Sequence, residues 1–290
     1  SKYTLYPGQV HPSSLYFHPE TNNVLTLEFE QPMEEESVYT LEIGSIQDQH
    51  NDISAPTTVN FSFLIPGEND IVITEIMADP YPTAGLPEKE YIEIHNPTQT
   101  SIELTNWRLA VNNSTVNFPD FRIEAEEYLI LCDNDSESSL NSYGHTIAFS
   151  SFPTLPNSGA EISITDTSGQ VVNQVSYNLR WYKDEEKEDG GYALEKIDPD
   201  NNCSGMNNWQ ASMAENGGTP GIQNSVYATN KDTIPPKVSY FEVLHSQQID
   251  LQFDEPIDTA SLDRSDFTLS PGIGTPYSLK MNPPYHDIAS

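Results

Sequence analysis

Nine short runs of alternating residues recur along the chain: "VLTLEFE" (24–30), "VYTLEIGSI" (38–46), "VNFSFLI" (59–65), "DIVITEIM" (70–77), "EYIEIH" (90–95), "EEYLILC" (126–132), "AEISITD" (160–166), "QVVNQVSY" (170–177) and "QIDLQFD" (248–254). Apolar side chains fall at every second position, the period of a strand that turns one face inward. Clusters of Pro, Gly, Asn and Asp separate the runs, and "TSGQ" (167–170) reads as a hairpin turn. Short strands with turn signals every roughly 8–12 residues are the pattern of β-sandwiches. Helical periodicity is almost absent. Only "SESSLNSYG" (136–144) suits one or two helical turns.

The chain is long enough for two or three domains. Its 15 Tyr and 11 Phe place it among packed proteins and outside the disordered class. Asp and Glu number 44 against 12 Lys and Arg, a formal charge of −32. Phosphate backbones and anionic membrane surfaces are bound through Lys and Arg, so this balance excludes nucleic acid as a partner. It favours solubility and divalent cations instead. No run of apolar residues is long enough to span a bilayer, so direct membrane insertion is not expected. The opening "SKYTLYPGQV" lacks the basic and apolar regions of a signal peptide and reads as a mature or internal fragment of an exported protein.

Two proline-bearing joints, "IPGEND" (65–70) and "NKDTIPPK" (230–237), divide the chain into segments 1–66, 67–228 and 229–290. The outer two are short for complete sandwiches. An internal repeat accounts for this: "DFTLSPGIGTPYSLKMNPPYHDIAS" (266–290) reads like "KYTLYPGQVHPSSLYFHPETNNVLTL" (2–27), strand, Pro-Gly turn, strand. The first segment then corresponds to the later part of a sandwich and the last to the earlier half of another copy. Each needs a complement, from the other segment or from sequence outside the fragment.

"VYTLEIGSIQDQHNDISAPTTVNFSF" resembles the closing strands of bacterial Ig-like domains of S-layer type, without the Gly-Asn pair those domains carry in the turn. "DTIPPKVSYFEV…IDLQFDEPIDTASLDRSDFTL" resembles the opening strands of the same family. The middle segment carries more. "IVITEIMADP…EYIEIHNPTQTSIELTNWRLA" resembles the start of a lamin tail domain, and "GGYALEKIDPDNNCSGMNNWQASMAENGGTPGIQNS" resembles the end of its bacterial branch, where L-E-[RK]-I, N-W and G-G-T-P-G-x-x-N recur in that order. The resemblance implies an all-β chain of tandem Ig-like sandwiches: a lamin-tail-like domain at 67–228 between partial Ig-like domains at 1–66 and 229–290.

The segment "EYIEIHNPTQTSIELTNWRL" (90–109) tests whether the chain is an enzyme, because it holds Glu90, Glu93 and His95. Strand alternation puts Ile92 and Ile94 on one face and Tyr91, Glu93 and His95 on the other. Glu90 points away from Glu93, so the two carboxylates form no same-face acid/base pair. Asn96-Pro97 turns the chain, and Ile102, Leu104 and Trp107 return to the core. The stretch reads as a folding motif. Nucleophile and metalloprotease motifs are missing, and the seven histidines have no ligand spacing.

Other residues carry narrower expectations. Asp133, Asp135 and Glu137 in "DNDSE", and Asp198, Asp200 and Asn202 in "DPDNN", are candidate calcium ligands, against a reading as solvated acidic loops. Arg180, Trp181 and Tyr182 form a candidate partner-binding patch, against a reading as core aromatics. The acidic run "KDEEKEDGGY" (183–192) reads as an exposed insertion between strands. Cys132 and Cys203 either pair as a disulfide in an exported protein or remain two buried thiols. Thr233 and Thr259 sit in Asp-Thr-apolar tripeptides of the kind some bacteria O-glycosylate.

These features, with the resemblance, imply a non-catalytic secreted or cell-surface bacterial protein with no cofactor beyond calcium. Its expected role is a structural or interaction module, a subunit of a surface assembly contacting a surface or outer-membrane protein or a glycan. Two alternatives remain: an accessory region of a larger surface hydrolase or nuclease, and a calcium-stabilised adhesin.

Overall fold

A computed structural model describes residues 2–17, 24–34, 37–203, 205–255, 257, 261–280 and 288–289. The chain divides into two compact units, residues 1–66 with 99–102, and residues 67–98 with 103–290. The described residues are mostly strand and turn, as the alternating runs require, and each of the nine runs contains a strand.

In the first unit β1 (Tyr3–Tyr6), β2 (Ser14–Phe17), β3 (Leu25–Glu28), β4 (Val38–Ile43) and β5 (Thr57–Ser62) follow in order. One antiparallel sheet has the order β1-β4-β5, and β2 pairs with β3 as a separate hairpin. Leu5 and Tyr39 are buried, whereas Leu15, Tyr16 and Phe17 on β2 are exposed.

The second unit opens with β6 (Val72–Met77), β7 (Tyr91–His95), β8 (Ile102–Glu103), β9 (Arg108–Val111), β10 (Ser114–Asn117), β11 (Arg122–Ile123) and β12 (Tyr128–Asp133). It continues with α1 (Asn134–Leu140), β13 (Thr146–Phe149), β14 (Gly159–Thr165), β15 (Val171–Asn178), β16 (Leu194–Lys196) and β17 (Trp209–Ala211). Two sheets dominate: a six-stranded one ordered β13-β12-β7-β6-β16-β17 and a four-stranded one ordered β10-β9-β14-β15. The "TSGQ" hairpin joins β14 to β15. The Asp166 carboxylate accepts from the backbone N–H groups of Ser168 and Gln170, which is how an Asx turn closes.

Ile102, Leu104 and Trp107 are buried, as the alternation predicts. Register explains which face each residue of the six-stranded sheet takes. Ile92 pairs with Ile76 and Leu131, and Ile94 pairs with Ile73 and Leu129, so these side chains share one face. On that side the Asn173 side chain of β15 accepts from the Ile73 backbone N–H. The opposite face carries Tyr91, Glu93 and His95, as expected, but it is not solvent-facing. Met77, Leu86, Tyr91, Ile130, Cys132, Leu140 and Ala193 form a second apolar cluster there. A sheet covered on both sides explains why all six residues of β6 and all five of β7 are buried.

The last stretch of the second unit holds β18 (Val238–His245), β19 (Gln248–Phe253) and β20 (Ile288–Ala289), in the order β18-β19-β20. Every residue of β18 is exposed. The internal repeat has a local counterpart. Leu5 and Val10 exchange two backbone hydrogen bonds of 2.8 and 2.9 Å around Pro7-Gly8, and Leu269 and Gly274 exchange two of 2.9 and 3.0 Å around Pro271-Gly272. Both turns are five residues from bond to bond and hold Pro then Gly at the same places, so the Pro-Gly turn of the repeat recurs in the structure, whereas residues 266–268 and 275–280 are not strand as β1 and β2 are.

Candidate functional site

Three strands each place a glutamate at the same level of the six-stranded sheet. Glu75 on β6 pairs with Glu93 on β7 and with Glu195 on β16, which makes a row of three carboxylates across neighbouring strands. Each has at least one apolar neighbour, in "ITEIM", "YIEIH" and "ALEKI", and each is 0% exposed. Among the described residues no Lys or Arg forms an ion pair with any of them. Buried carboxylates without cations need hydrogen-bond donors.

The donors come from residues 212–228. The backbone N–H of Thr219 lies 3.0 Å from Glu75 Oε1, that of Gly221 lies 2.6 Å from Glu93 Oε2, and that of Val226 lies 3.1 Å from Glu195 Oε2. Side chains complete the set: the Tyr91 hydroxyl donates to Glu75 (2.6 Å), the Thr74 hydroxyl to Glu93 (2.7 Å) and the Ser225 hydroxyl to Glu195 (2.7 Å). Thr219 Oγ1 lies 3.0 Å from Glu195 Oε1 and 3.3 Å from Glu75 Oε2, so its one proton serves a single carboxylate at a time. Asn224 Nδ2 bridges the carbonyls of Thr74 and Lys196 at 2.8 and 2.9 Å, tying the same segment to β6 and β16.

The "GGTPG" sequence follows from this docking. A Cβ on Gly218 would sit 2.4 Å from Glu75 Oε1 and 2.7 Å from the Tyr91 hydroxyl. Gly221, at φ +83°, would bring a Cβ to 2.5 Å from the Tyr143 carbonyl. Only hydrogen fits at either place.

Electrostatics follow from burial. Desolvation, and then the Glu195 charge, push the Glu75 carboxyl up to about 8 against the pull of the Tyr91 and Thr219 hydrogen bonds. Burial and the neighbouring Glu75 charge raise Glu93 well above the usual carboxylate range. Burial and the Glu75 charge likewise raise the Tyr91 hydroxyl. Glu75 and Glu93 therefore hold protons near neutral pH. The row's oxygens are engaged by the chain itself, so the row acts as a clasp.

The other residues of the 90–109 segment are also structural. Glu90 accepts from the Leu155 backbone N–H at 3.1 Å. His95 Nδ1 lies 3.1 Å from the Glu127 carbonyl, and its ring stacks on Tyr128 with centroids 4.1 Å apart. Desolvation lowers the His95 imidazole, which keeps it neutral. Asn96 is fully buried. Its amide donates to the Glu124 carbonyl and its oxygen accepts from Thr98, which fixes the turn.

The other expected residues are placed differently. "DNDSE" is the start of α1 rather than a loop: Asp133 is its N-cap, accepting from the Asp135 N–H, while Asp135 and Glu137 are exposed in its first turn. Asp198 spends its two oxygens on the N–H groups of Asp200 and Asn230, and Asn202 Oδ1 accepts from Lys196 Nζ. Among the described residues no three His, Cys, Asp or Glu side chains converge to hold an ion. A thermal melt with calcium against chelator tests the calcium-stabilised reading: a fall in melting temperature on chelation supports it and an unchanged one counts against it.

Trp181 and Tyr182 are buried, with Trp181 packed on Trp209 at 5.8 Å between ring centroids. The aromatic patch at 180–182 is thus core, and only Arg180 reaches solvent. In the acidic run, Glu185 and Glu186 are exposed, but Lys187 Nζ donates to the Ser212 carbonyl at 2.7 Å and anchors the insertion. Of the two alternatives for Cys132 and Cys203, the disulfide is not formed: both thiols are free, Cys132 on the buried strand β12 and Cys203 exposed. The alternative of two buried thiols thus holds for Cys132 only. Thr233 is exposed, and Thr259 lies outside the described residues.

Residues 66–179 match the family model of the Lamin Tail Domain. No curated protein matches the chain. The lamin tail domain is an Ig-like fold that is often a structural or interaction module and is typically non-catalytic. The six-stranded sheet runs past the matched residues, because β16 and β17 pair into it and residues 212–228 close over its glutamates. No described helix is long and apolar enough to cross a membrane.

Proposed function

We propose that the chain is a non-catalytic, secreted or cell-surface bacterial protein. It acts as a structural and interaction module, a subunit or spacer in a surface assembly. The observation that carries this reading is the sealed glutamate row. The carboxylates that would suit acid/base chemistry are 0% exposed and hold residues 212–228 in place. The formal charge of −32 suits an exposed, soluble surface protein and disfavours nucleic acid. The fitting partner is a surface or outer-membrane protein, or a glycan, met by exposed loops on a rigid sandwich.

The test is purification of the tagged protein from its source membranes, with identification of what accompanies it in stoichiometric amount. A defined surface partner supports the assembly role. Co-purification of a hydrolase or nuclease, or a catalytic domain on a longer form of the chain, would replace it with the accessory reading. Recovery only from the soluble interior of the cell would overturn it.

A further inference from the structure

Lys196 is the last residue of β16 and follows Glu195, so its side chain leaves the opposite face of the strand from the glutamate row. It is 5% exposed, and among the described residues no carboxylate forms an ion pair with it. Its Nζ instead meets the side-chain amide oxygen of Asn202, six residues on. That oxygen is one bond from Cγ, the electrophilic carbon of the amide. Lys196, Asn202, Trp181 and Trp209 line a cavity of about 300 Å3, so two indoles wall the pair.

The turn that presents Asn202 is held firmly. Asn208, 1% exposed, donates from Nδ2 to the Asp198 carbonyl at 2.7 Å and to the Asn201 carbonyl at 2.6 Å. The Asp198 carboxylate accepts from Asp200 N–H at 3.1 Å and from Asn230 N–H at 2.7 Å. Holding an amine and an amide in contact on a fixed turn removes most of the entropy cost of their reaction. Desolvation drives the Lys196 ammonium down to about 7, against the pull of Asp198, Asp200 and Cys203, so the neutral, nucleophilic amine is well populated near neutral pH.

We propose that Lys196 and Asn202 join in an intramolecular isopeptide bond. Nζ attacks Cγ of Asn202, the Nζ–Cγ bond forms and the Cγ–Nδ2 bond breaks. One proton leaves Nζ and is delivered to the departing nitrogen, which is released as ammonia. No oxidant, reductant or other reactant takes part. The product is a secondary amide that ties the 198–202 turn to β16 and leaves Lys196 uncharged. A buried lysine without a counter-ion is thereby exchanged for a neutral group.

Intact-mass spectrometry of the full chain and its tryptic map decide the matter. The wild-type protein is expected one ammonia lighter than its sequence, with the Lys196–Ile197 bond uncut by trypsin because Lys196 is acylated. Lys196→Arg is expected at full sequence mass with cleavage at position 196. Asn202→Asp would reach the wild-type mass by losing water instead of ammonia. A wild-type protein at full sequence mass overturns the proposal. So does an ammonia loss that leaves Lys196–Ile197 cleavable, which marks a succinimide, or one that persists in Lys196→Arg.

Discussion

A Gly218→Ala variant is expected to lose about 2–4 kcal/mol of stability, read as a lower urea midpoint for the second unit. The added methyl would lie 2.4 Å from Glu75 Oε1, 2.7 Å from the Tyr91 hydroxyl and 2.8 Å from Leu86 Cδ1. None of these can retreat freely, since Glu75, Tyr91 and Leu86 are all buried. The backbone at 217–219 must lift instead, which stretches the Thr219 N–H bond to Glu75. Overpacking of this kind costs about 1–3 kcal/mol. Each buried donor or acceptor left unpaired adds about 1–3 kcal/mol. Gly169 offers a control: nothing lies within 4 Å of its added methyl, although its φ of +92° strains any side chain. Gly169→Ala therefore tests strain without the clash. A Gly218→Ala midpoint no lower than that of Gly169→Ala would mean residues 212–228 do not need close contact with the glutamates.

What the sequence made legible was governed by short-range order. Each of the nine alternating runs overlaps one of the twenty described strands because period 2 is a local property, and the Asp166–Gly169 turn was legible for the same reason. Short strands such as β10, β13 and β17 hold too few residues to show the period. The glutamate row was not. Its donors stand 144 residues from Glu75 and 128 from Glu93, and alternation alone placed Glu93 on a face opposite Ile92 without saying that the face is covered. A signal existed: in "YIEIH" a glutamate stands between isoleucines in the middle of a strand, an unusual place for a group headed for water. "DNDSE" misled because acid-rich segments suit both a calcium loop and a helix start. Asp133 in front of Leu140 at the far end of the turn pair is a capping pattern, visible only if a helix is already suspected. Trp181 and Tyr182 occupy a short 3-10 turn with no periodicity to say which way they face, so burial there is decided by Trp209, distant in sequence.

The raised carboxyls of Glu75 and Glu93 make stability depend on pH in a definite direction. The Glu75 carboxyl is raised from 4.5 to about 8 in the folded protein, chiefly by burial and then by Glu195. Below about pH 4.5 both folded and unfolded chains hold the proton, and its contribution is fully present. Between about pH 4.5 and about pH 8 the unfolded chain releases the proton while the fold retains it, so stability falls as pH rises. Above about pH 8 both states are ionised and the loss is complete. Glu93, raised by burial and by Glu75, pulls the same way. Glu75→Gln isolates the term, because the amide keeps the shape and an acceptor oxygen but cannot ionise. Wild type should lose on the order of 3 kcal/mol relative to this variant between about pH 5 and about pH 8, measured as the difference in urea unfolding free energies. Repulsion among acidic side chains outside the row is common to both proteins and cancels in that difference. Parallel pH profiles would mean that Glu75 is ionised in the folded state, with the Tyr91 and Thr219 donors sufficient to hold its charge in the interior.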